Sequence, residues 1–408
     1  MKEVFILSTG QILNGKTAGA RRIMNIAKSL AAGNVNVFLW SLSDVQSESI
    51  ENMEIAPGIT SIRSVSPGGN KGIGLRRFIK LLYGFLNSRN GETVIYLYPS
   101  TFIFKDFIYL IYFKYLKRYR FFCEINELRS AIAFSATPTA GILPWLHYFL
   151  KSIKDYVIYK LNEYQVFLYD GIVVISRNLE AYFSNRSQKI LRVPILCDAD
   201  EIQPGRHPGA IDGTAFKICF AGYIKLDKEG FDTLFESVFQ LNKVQNVEMF
   251  LYGILEQPDR IRIDQLSEKY QLTDKIKYMG NIDPALLQDE FVKYNLLILP
   301  RPLNKRTKYG FSTKLSEYLV SGVPVLLTDV SDNALFIKDN YNGFMIPPGS
   351  AQAMTEKILE IIENYNEKAG MIVENAYRTV REELDYRLFS NRYISFLFGV
   401  EDKASKPA

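Results

Sequence analysis

The sequence predicts an α/β chain of two doubly wound, Rossmann-like domains, and three observations predict it. Short apolar runs of strand length alternate with segments of helical period, the pattern of parallel sheets covered by helices. The two halves begin alike: Val4-Phe5-Ile6-Leu7-Ser8-Thr9-Gly10 and Phe216-Lys217-Ile218-Cys219-Phe220-Ala221-Gly222 each run apolar into a glycine. The chain has 408 residues, enough for two full cores.

The first run is followed by a Gly15-Lys16-Thr17-Ala18-Gly19 loop and a helix with Ile23, Ile26, Ala27 and Leu30 on one face. Further strand-like runs are Val35 to Trp40, Val94 to Leu97, Phe121 to Ile125 and Gly171 to Ile175. Cys197 to Thr214, rich in Asp, Pro, Gly and His, reads as a connection, and places a domain break after residue 205. The second domain, 206–385, repeats the opening with a Lys225 to Gly230 loop and a helix through Leu234, Val238 and Leu241. Its later strands are Val247 to Leu251, Ile276 to Met279, Leu296 to Leu299 and Val325 to Leu327. Residues 386–408 begin with an aromatic helical segment, Tyr386 to Phe398, expected to cross back to the first domain. Two such domains facing each other would leave a cleft, with ligands at the carboxyl ends of the strands.

Composition narrows the function. Apolar residues make up 47% and charged residues 23%, as in a globular enzyme. Cys123, Cys197 and Cys219 are far apart, which argues for free thiols in a reducing compartment, and His147 and His207 are too few for a metal cluster. The opening run is too short for a signal peptide, and no uncharged apolar stretch approaches the ~20 residues that cross a bilayer. These features predict a soluble, cytoplasmic chain. Residues 1–200 hold 24 Lys and Arg against 15 Asp and Glu, and the remainder reverses the balance. The excess lies in Lys71 to Lys80 and Lys114 to Arg120. The aromatic, basic stretch Phe102 to Arg120 reads either as an element lying on an anionic membrane or as a domain helix with its aromatics inward. Nucleic acid is not an expected partner, because no reader motif is present.

One segment carries chemistry. From Phe291 to Ser316 the cations Lys293, Arg301, Lys305, Arg306, Lys308 and Lys314 occur without any Asp or Glu, and Glu317 is the first carboxylate after them. Gly310-Phe311-Ser312-Thr313 leads into a helix expected from Thr313 to Ser321. Lys314 in its first turn opposes the helix dipole, a placement that an anion at the helix start would make favourable. The alternative is a solvated basic loop with a surface Lys314–Glu317 pair.

The second half carries, in order, Gly222 to Lys228-Glu229-Gly230, Tyr278-Met279-Gly280-Asn281, Leu299-Pro300, Glu317-Tyr318-Leu319-Val320-Ser321-Gly322-Val323-Pro324-Val325 and Asn342-Gly343-Phe344-Met345-Ile346-Pro347-Pro348-Gly349. The first half adds Ala18-Gly19, Glu124-Ile125-Asn126-Glu127, Val174-Ile175-Ser176 and Val193-Pro194. These residues resemble the retaining GT-B glycosyltransferases of family 4 (glycosyl transferases group 1). The resemblance implies a GT-B fold and transfer of a sugar from a nucleotide-diphosphate donor to a hydroxyl acceptor, with retention, in surface polysaccharide or glycolipid synthesis.

Carried over by position, Glu317 looks like the carboxylate on the ribose hydroxyls and Lys228 like the lysine on the donor diphosphate. The amides of Ser312 and Thr313 would cradle that diphosphate, and the Tyr278 to Asn281 turn, with Gly280 and Asn281, would lie at the base. Gly222 and Gly19 look like the glycines that let backbone approach the donor. Glu127 is the first-domain candidate for catalysis, or else a helix-capping carboxylate. Arg22, Glu124 and Asn126 are candidates for acceptor contact.

The chain departs from the family pattern at three places. Tyr309 stands eight residues before Glu317, where a sugar-binding Glu is frequent. Gly222 is followed by Tyr223 rather than the usual Arg, so Arg301, Lys314 or the Lys305-Arg306 pair is expected to supply the charge. The first-domain histidine has no counterpart. Asp198-Ala199-Asp200 has the spacing of a GT-A metal site but sits in the connection, where it reads as linker. No metal or other cofactor is expected, since the cations can stabilise the departing diphosphate. The partners implied are a nucleotide sugar, a saccharide or lipid-linked saccharide acceptor, and the surface of an anionic membrane. A nucleotide-sugar epimerase and a catalytically degenerate nucleotide-sugar-binding subunit are the competing readings.

Overall fold

The computed structural model describes residues 1–8, 17–45, 50–64, 74–98, 103–134, 142–187, 189–203, 205, 206, 208, 211 and 215–400. The expected Gly10 and Gly15-Lys16 loop, Lys71 to Ile73, Phe102 and His207 lie outside these residues. The chain divides into two compact units. One is Met1–Leu196 joined by the chain from Tyr386 onward, and the other is Cys197–Asp385.

In the first unit the strands are β1 (Lys2–Ser8), β2 (Asn36–Val45), β3 (Glu51–Ala56), β4 (Ile59–Ser64), β5 (Glu92–Leu97), β6 (Arg120–Ile125), β7 (Gly171–Val174) and β8 (Ile190–Arg192). They form a sheet in the order β3-β4-β2-β1-β5-β6-β7-β8, parallel except for the β3–β4 hairpin. β1 is the switch point, with β2 on one side and β5 on the other. It is buried on both faces, which is why it reads as an unbroken apolar run. Ile23, Ile26, Ala27 and Leu30 of the helix Ala18–Ala32 close one face, as their spacing predicts. Tyr393 and Leu397 of the helix Ser390–Phe398 enter the same core, and Tyr393 meets the ring of Tyr96 edge-on.

The boundary falls between residues 196 and 197, ahead of the expected break after residue 205. Asn25 holds the Leu196 carbonyl at 2.8 Å, whereas the next amide, Cys197, donates to Leu384 of the second unit at 2.9 Å. Asp198 is buried and accepts from the amide of Asp200 at 3.0 Å, so the Asp198-Ala199-Asp200 run is a capped turn rather than a solvated linker.

The stretch expected either at a membrane or inside the domain has one side buried and leaves Phe104, Ile108, Tyr115 and Leu116 exposed. It forms a helix, Ile103–Tyr109, that continues with wider turns over Leu110–Leu116. Asp106, Tyr109, Leu110 and Phe113 are buried. No helix among the described residues is long and apolar enough to cross a membrane.

The second unit holds β9 (Phe216–Ala221), β10 (Val247–Tyr252), β11 (Ile276–Gly280), β12 (Leu296–Leu299), β13 (Val325–Thr328) and β14 (Phe344–Ile346). All are parallel, in the order β11-β10-β9-β12-β13-β14, with β9 at the switch point. The helix Ala351–Thr379 packs against the helix Phe231–Leu241. A doubly wound sheet offers its ligand crevice beyond the carboxyl end of the switch-point strand, here just past Ala221.

Candidate functional site

At that end of the sheet three neighbouring strands finish in glycines with positive φ: Gly222 after β9 (141°), Gly253 after β10 (122°) and Gly280 at the end of β11 (83°). The amide of Gly222 donates to Tyr252 at 3.0 Å and that of Gly253 to Gly280 at 2.8 Å, so the ladder extends through the glycines. A Cβ on Gly253 would stand 1.9 Å from the Gly222 carbonyl oxygen, and only glycine permits this approach. The result is a ledge of backbone, with the Lys314 side chain lying over Gly222. Gly222 and Gly280 were singled out from the sequence, and Gly253 was not. Its signal is its place one residue past an apolar run. The Tyr278 hydroxyl donates to the Gly253 carbonyl at 2.9 Å, and Asn281 is exposed beside the ledge.

Cations collect next to this ledge. β9 passes through Tyr223 into a short helix, Leu226–Glu229, which ends at Gly230 with φ 64°. A Cβ there would lie 2.1 Å from the Pro300 carbonyl oxygen, so glycine lets this turn press against the end of β12. Glu229, fully buried, is thereby brought to Arg301 (Nε–Oε2 3.2 Å, Nη2–Oε1 3.3 Å) and to Lys314 (Nζ–Oε1 2.5 Å). Burial pushes the Glu229 carboxyl up, but the charges of Arg301, Lys314 and Lys228 outweigh it and hold it at about 2.

Lys228 is half-buried, and its ammonium has no hydrogen-bond or ion-pair partner among the described residues. Burial and then the charge of Arg301 push it down to about 7. Lys314 is also lowered, by burial, against the attraction of Glu229. One carboxylate therefore faces three cationic side chains, a surplus of positive charge that a phosphate group would satisfy.

The acid-free segment is not one loop. Lys305–Tyr309 forms a helical turn closed by a capping box between Asn304 and Thr307, a box the sequence reading overlooked. Arg306 faces Asp227 at 3.5 Å and Lys305 is exposed, so of the expected replacements Arg301 and Lys314 join the cluster and Lys305 does not. The following helix is Lys314–Leu319, shorter than the expected Thr313–Ser321 because Ser321 turns back to Tyr318. The amides of Ser312 and Thr313 make no hydrogen bond among the described residues, and the buried Ser312 Oγ has no partner. Tyr318 anchors this helix to β9: its hydroxyl accepts from the Ala221 amide at 2.8 Å and donates to the Ala221 carbonyl at 3.2 Å. Glu317 is half-buried one turn from Ser312 and Thr313, and its backbone carbonyl accepts from Gln288 at 3.1 Å. Tyr223 is exposed and donates to Glu256, and Tyr309 is half-buried.

In the first unit Gly19 lies in the first turn of its helix, where a Cβ would meet the Tyr98 hydroxyl at 3.3 Å. That hydroxyl accepts from Asn126 Nδ2 at 2.9 Å, so Gly19, Tyr98 and Asn126 gather near the carboxyl ends of β5 and β6. Tyr98 was missed from the sequence. Burial and the Glu124 charge push its hydroxyl up to about 12. Glu127 is half-buried just past β6.

Arg22 and Glu124, expected to contact the acceptor, do something else. Both are buried and pair with each other at 2.6 Å. Arg22 also donates to the carbonyls of Pro194 at 2.6 Å and Val193 at 3.0 Å, and Glu124 accepts from Tyr96. With their polar atoms occupied and no surface left, they pin the helix Ala18–Ala32 to the strands.

Residues 203–379 match the family described as glycosyl transferases group 1. A sucrose synthase of Melioribacter roseus is 28% identical over 147 residues, 34% of this chain and 18% of that protein. The GtfA subunit of a UDP-N-acetylglucosamine–peptide N-acetylglucosaminyltransferase of Streptococcus agalactiae is 26% identical over 167 residues, 39% of this chain and 31% of that protein. The matched part thus spans less than a third of either relative. Among solved structures, the sucrose-phosphate synthase of Thermosynechococcus elongatus superposes with a TM-score of 0.69 at 15% identity, covering 96% of this chain and 97% of that one. Anabaena HepE in complex with UDP gives 0.61 at 14% identity, covering 98% and 100%. These likenesses establish the α/β GT-B fold.

Proposed function

We propose that the chain, whose residues 203–379 match the glycosyl transferases group 1, moves a sugar from a nucleoside-diphosphate donor to a hydroxyl acceptor with retention of configuration. The observation that carries this reading is the partnerless ammonium of Lys228 beside Arg301, Lys314 and the glycine ledge, with a single buried carboxylate among three cations. In the proposed roles, Lys228 and the Ser312 and Thr313 amides meet the diphosphate. Glu317 accepts from the ribose hydroxyls, and Gly280 and Asn281 lie at the base. As the glycosidic bond breaks, negative charge grows on the diphosphate, and fixed cations and amides there lower the barrier without reorganising. That arrangement needs no metal or other cofactor.

In the first unit, Gly19 leaves room for the donor, and Asn126 or Glu127 meets the reacting sugar or the acceptor. HepE has been solved with UDP-glucose, which makes UDP-sugars the first donors to try. The acceptor is proposed to be a saccharide, free or lipid-linked, in surface polysaccharide or glycolipid synthesis at the cytoplasmic face of a membrane.

The test is a nucleotide-sugar panel with release of nucleoside diphosphate as readout and the product anomer read by NMR. Release with retained configuration is expected. Tight binding without release would favour a non-catalytic binding subunit, the reading to which Tyr309 and Tyr223 lend support. Conversion to an epimeric nucleotide sugar would favour an epimerase.

A further inference from the structure

The helix Ile142–Tyr164 is built inside out. Its buried residues are Ser152 and Glu163, a small and an acidic side chain. Glu163 fastens it to the domain through the Ser130 amide (3.2 Å) and the Tyr182 hydroxyl (2.7 Å), and pairs within the helix with Lys160 (2.8 Å). Its large apolar side chains point away: Ile142 is 85% exposed, Leu143 79%, Leu150 58% and Leu161 59%. Trp145 and Phe149 stack on each other in the open, ring centroids 5.2 Å apart. At about 100° per residue these positions fall within one arc of about 160°, along a helix roughly 34 Å long. The adjoining helix Ile103–Tyr109 exposes Phe104 and Ile108 beside it, and Phe167 in the next turn is exposed too. An apolar face this long exceeds what chains that stay free in water commonly show.

Charge indicates what covers it. The helix carries Lys151, Lys154 and Lys160 against Asp155 and the buried Glu163. The neighbouring segment adds Lys105, Lys114, Lys117 and Arg118 against the buried Asp106. Lys151 and Lys154 sit exposed on the flank of the apolar arc. A wide apolar face, aromatic side chains and flanking lysines, on a helix that does not meet the requirement for crossing, suit the headgroup region of a bilayer.

We propose that the helix Ile142–Tyr164 lies in the plane of an anionic lipid membrane with its apolar arc inserted. This deepens the membrane-proximal acceptor reading above and rests on it for its purpose. It makes this helix the principal contact, with the Phe102 to Arg120 stretch beside it contributing Phe104, Ile108 and its cations.

The chain supplies its own reporter, because it has two tryptophans, Trp40 fully buried and Trp145 half exposed. Full-length protein is titrated with vesicles of phosphatidylglycerol and phosphatidylcholine in equal parts, and with pure phosphatidylcholine. A blue shift of Trp145 emission on the anionic vesicles, absent in Trp145→Phe, is expected. Leu150→Glu with Val157→Glu should lower partitioning at least tenfold without moving the thermal midpoint, since both side chains are exposed. Lys151→Glu with Lys154→Glu should do so on the anionic vesicles alone. An unchanged Trp145 spectrum on both vesicles would overturn the proposal. So would a self-associated chain that Leu150→Glu dissociates while lipid leaves Trp145 unmoved, which would assign the face to a second copy. Nucleoside-diphosphate release from a nucleotide sugar in the absence of vesicles separates the two readings: release without lipid binding sinks this proposal alone, and lipid binding without release sinks the transferase.

Discussion

Lys228 is the residue on which the donor site turns. Its ordinary ammonium would hold its proton to about 10.5, and here burial and Arg301 lower that to about 7. The unfolded chain therefore binds more protons between pH 7 and 10.5, so this group's contribution to stability rises with pH across that window. A bound diphosphate pulls the other way and restores the charge. Above pH 7, binding should take up a proton and weaken by up to tenfold per pH unit. Calorimetry of UDP at pH 8 in buffers of different ionisation enthalpy should show this uptake, and Lys228→Arg should abolish it. Glu229 makes a complementary prediction. Glu229→Gln leaves Arg301 and Lys314 buried without their counter-charge, a loss of about 3–5 kcal/mol. Thermal unfolding should show the drop, and added UDP should recover more stability in this variant than in the wild type. Arg301 and Lys314 were legible from the sequence because cations without nearby acids stand out, whereas Lys228, flanked by Asp227 and Glu229, was marked by the family resemblance alone. Glu229 was not, because nothing local says that a carboxylate beside Gly230 will be buried against residues 72 and 85 positions away.

At the scale of elements, the ledge depends on strands that stop in glycine. Gly253→Ala would drive a Cβ into the Gly222 carbonyl and should lower stability and nucleotide affinity together, as measured by thermal unfolding and titration. Gly205→Ala, where the φ is also positive (75°) but nothing lies within 4 Å, should affect folding modestly and nucleotide affinity not at all. The strands buried on both faces, β1, β5, β9 and β12, were plain in the sequence, since a continuous apolar run has few other uses. The β3–β4 hairpin was not, because β3 is largely exposed and polar. The helix Lys305–Tyr309 was hidden by its charge, and its Asn304–Thr307 capping box was the available signal. The helix Ile142–Tyr164 shows the opposite difficulty: its apolar period was visible in principle, but which side faces the domain is settled by Glu163, a long-range contact.

For the whole molecule, strand and helix alternation foretold two doubly wound sheets, and each unit has its switch point where the repeated opening motif ends. The boundary moved to 196/197 because Arg22 and Asn25 tie Val193, Pro194 and Leu196 into the first unit. The same contacts took Arg22 and Glu124 out of the acceptor role that sequence position suggested. What a linear reading cannot supply is which polar residues satisfy one another. The claim that most needs testing is that the second unit binds a nucleoside diphosphate with Glu317 on its ribose. UDP, GDP and ADP titrated into wild type and Glu317→Ala provide the measurement. Loss of a hydrogen bond to a charged group, about 1.5–3 kcal/mol, predicts roughly 10- to 100-fold weaker binding of the preferred nucleotide. The 2′,3′-dideoxy form should bind both proteins alike. Equal affinity of the two proteins for the unmodified nucleotide would contradict the account.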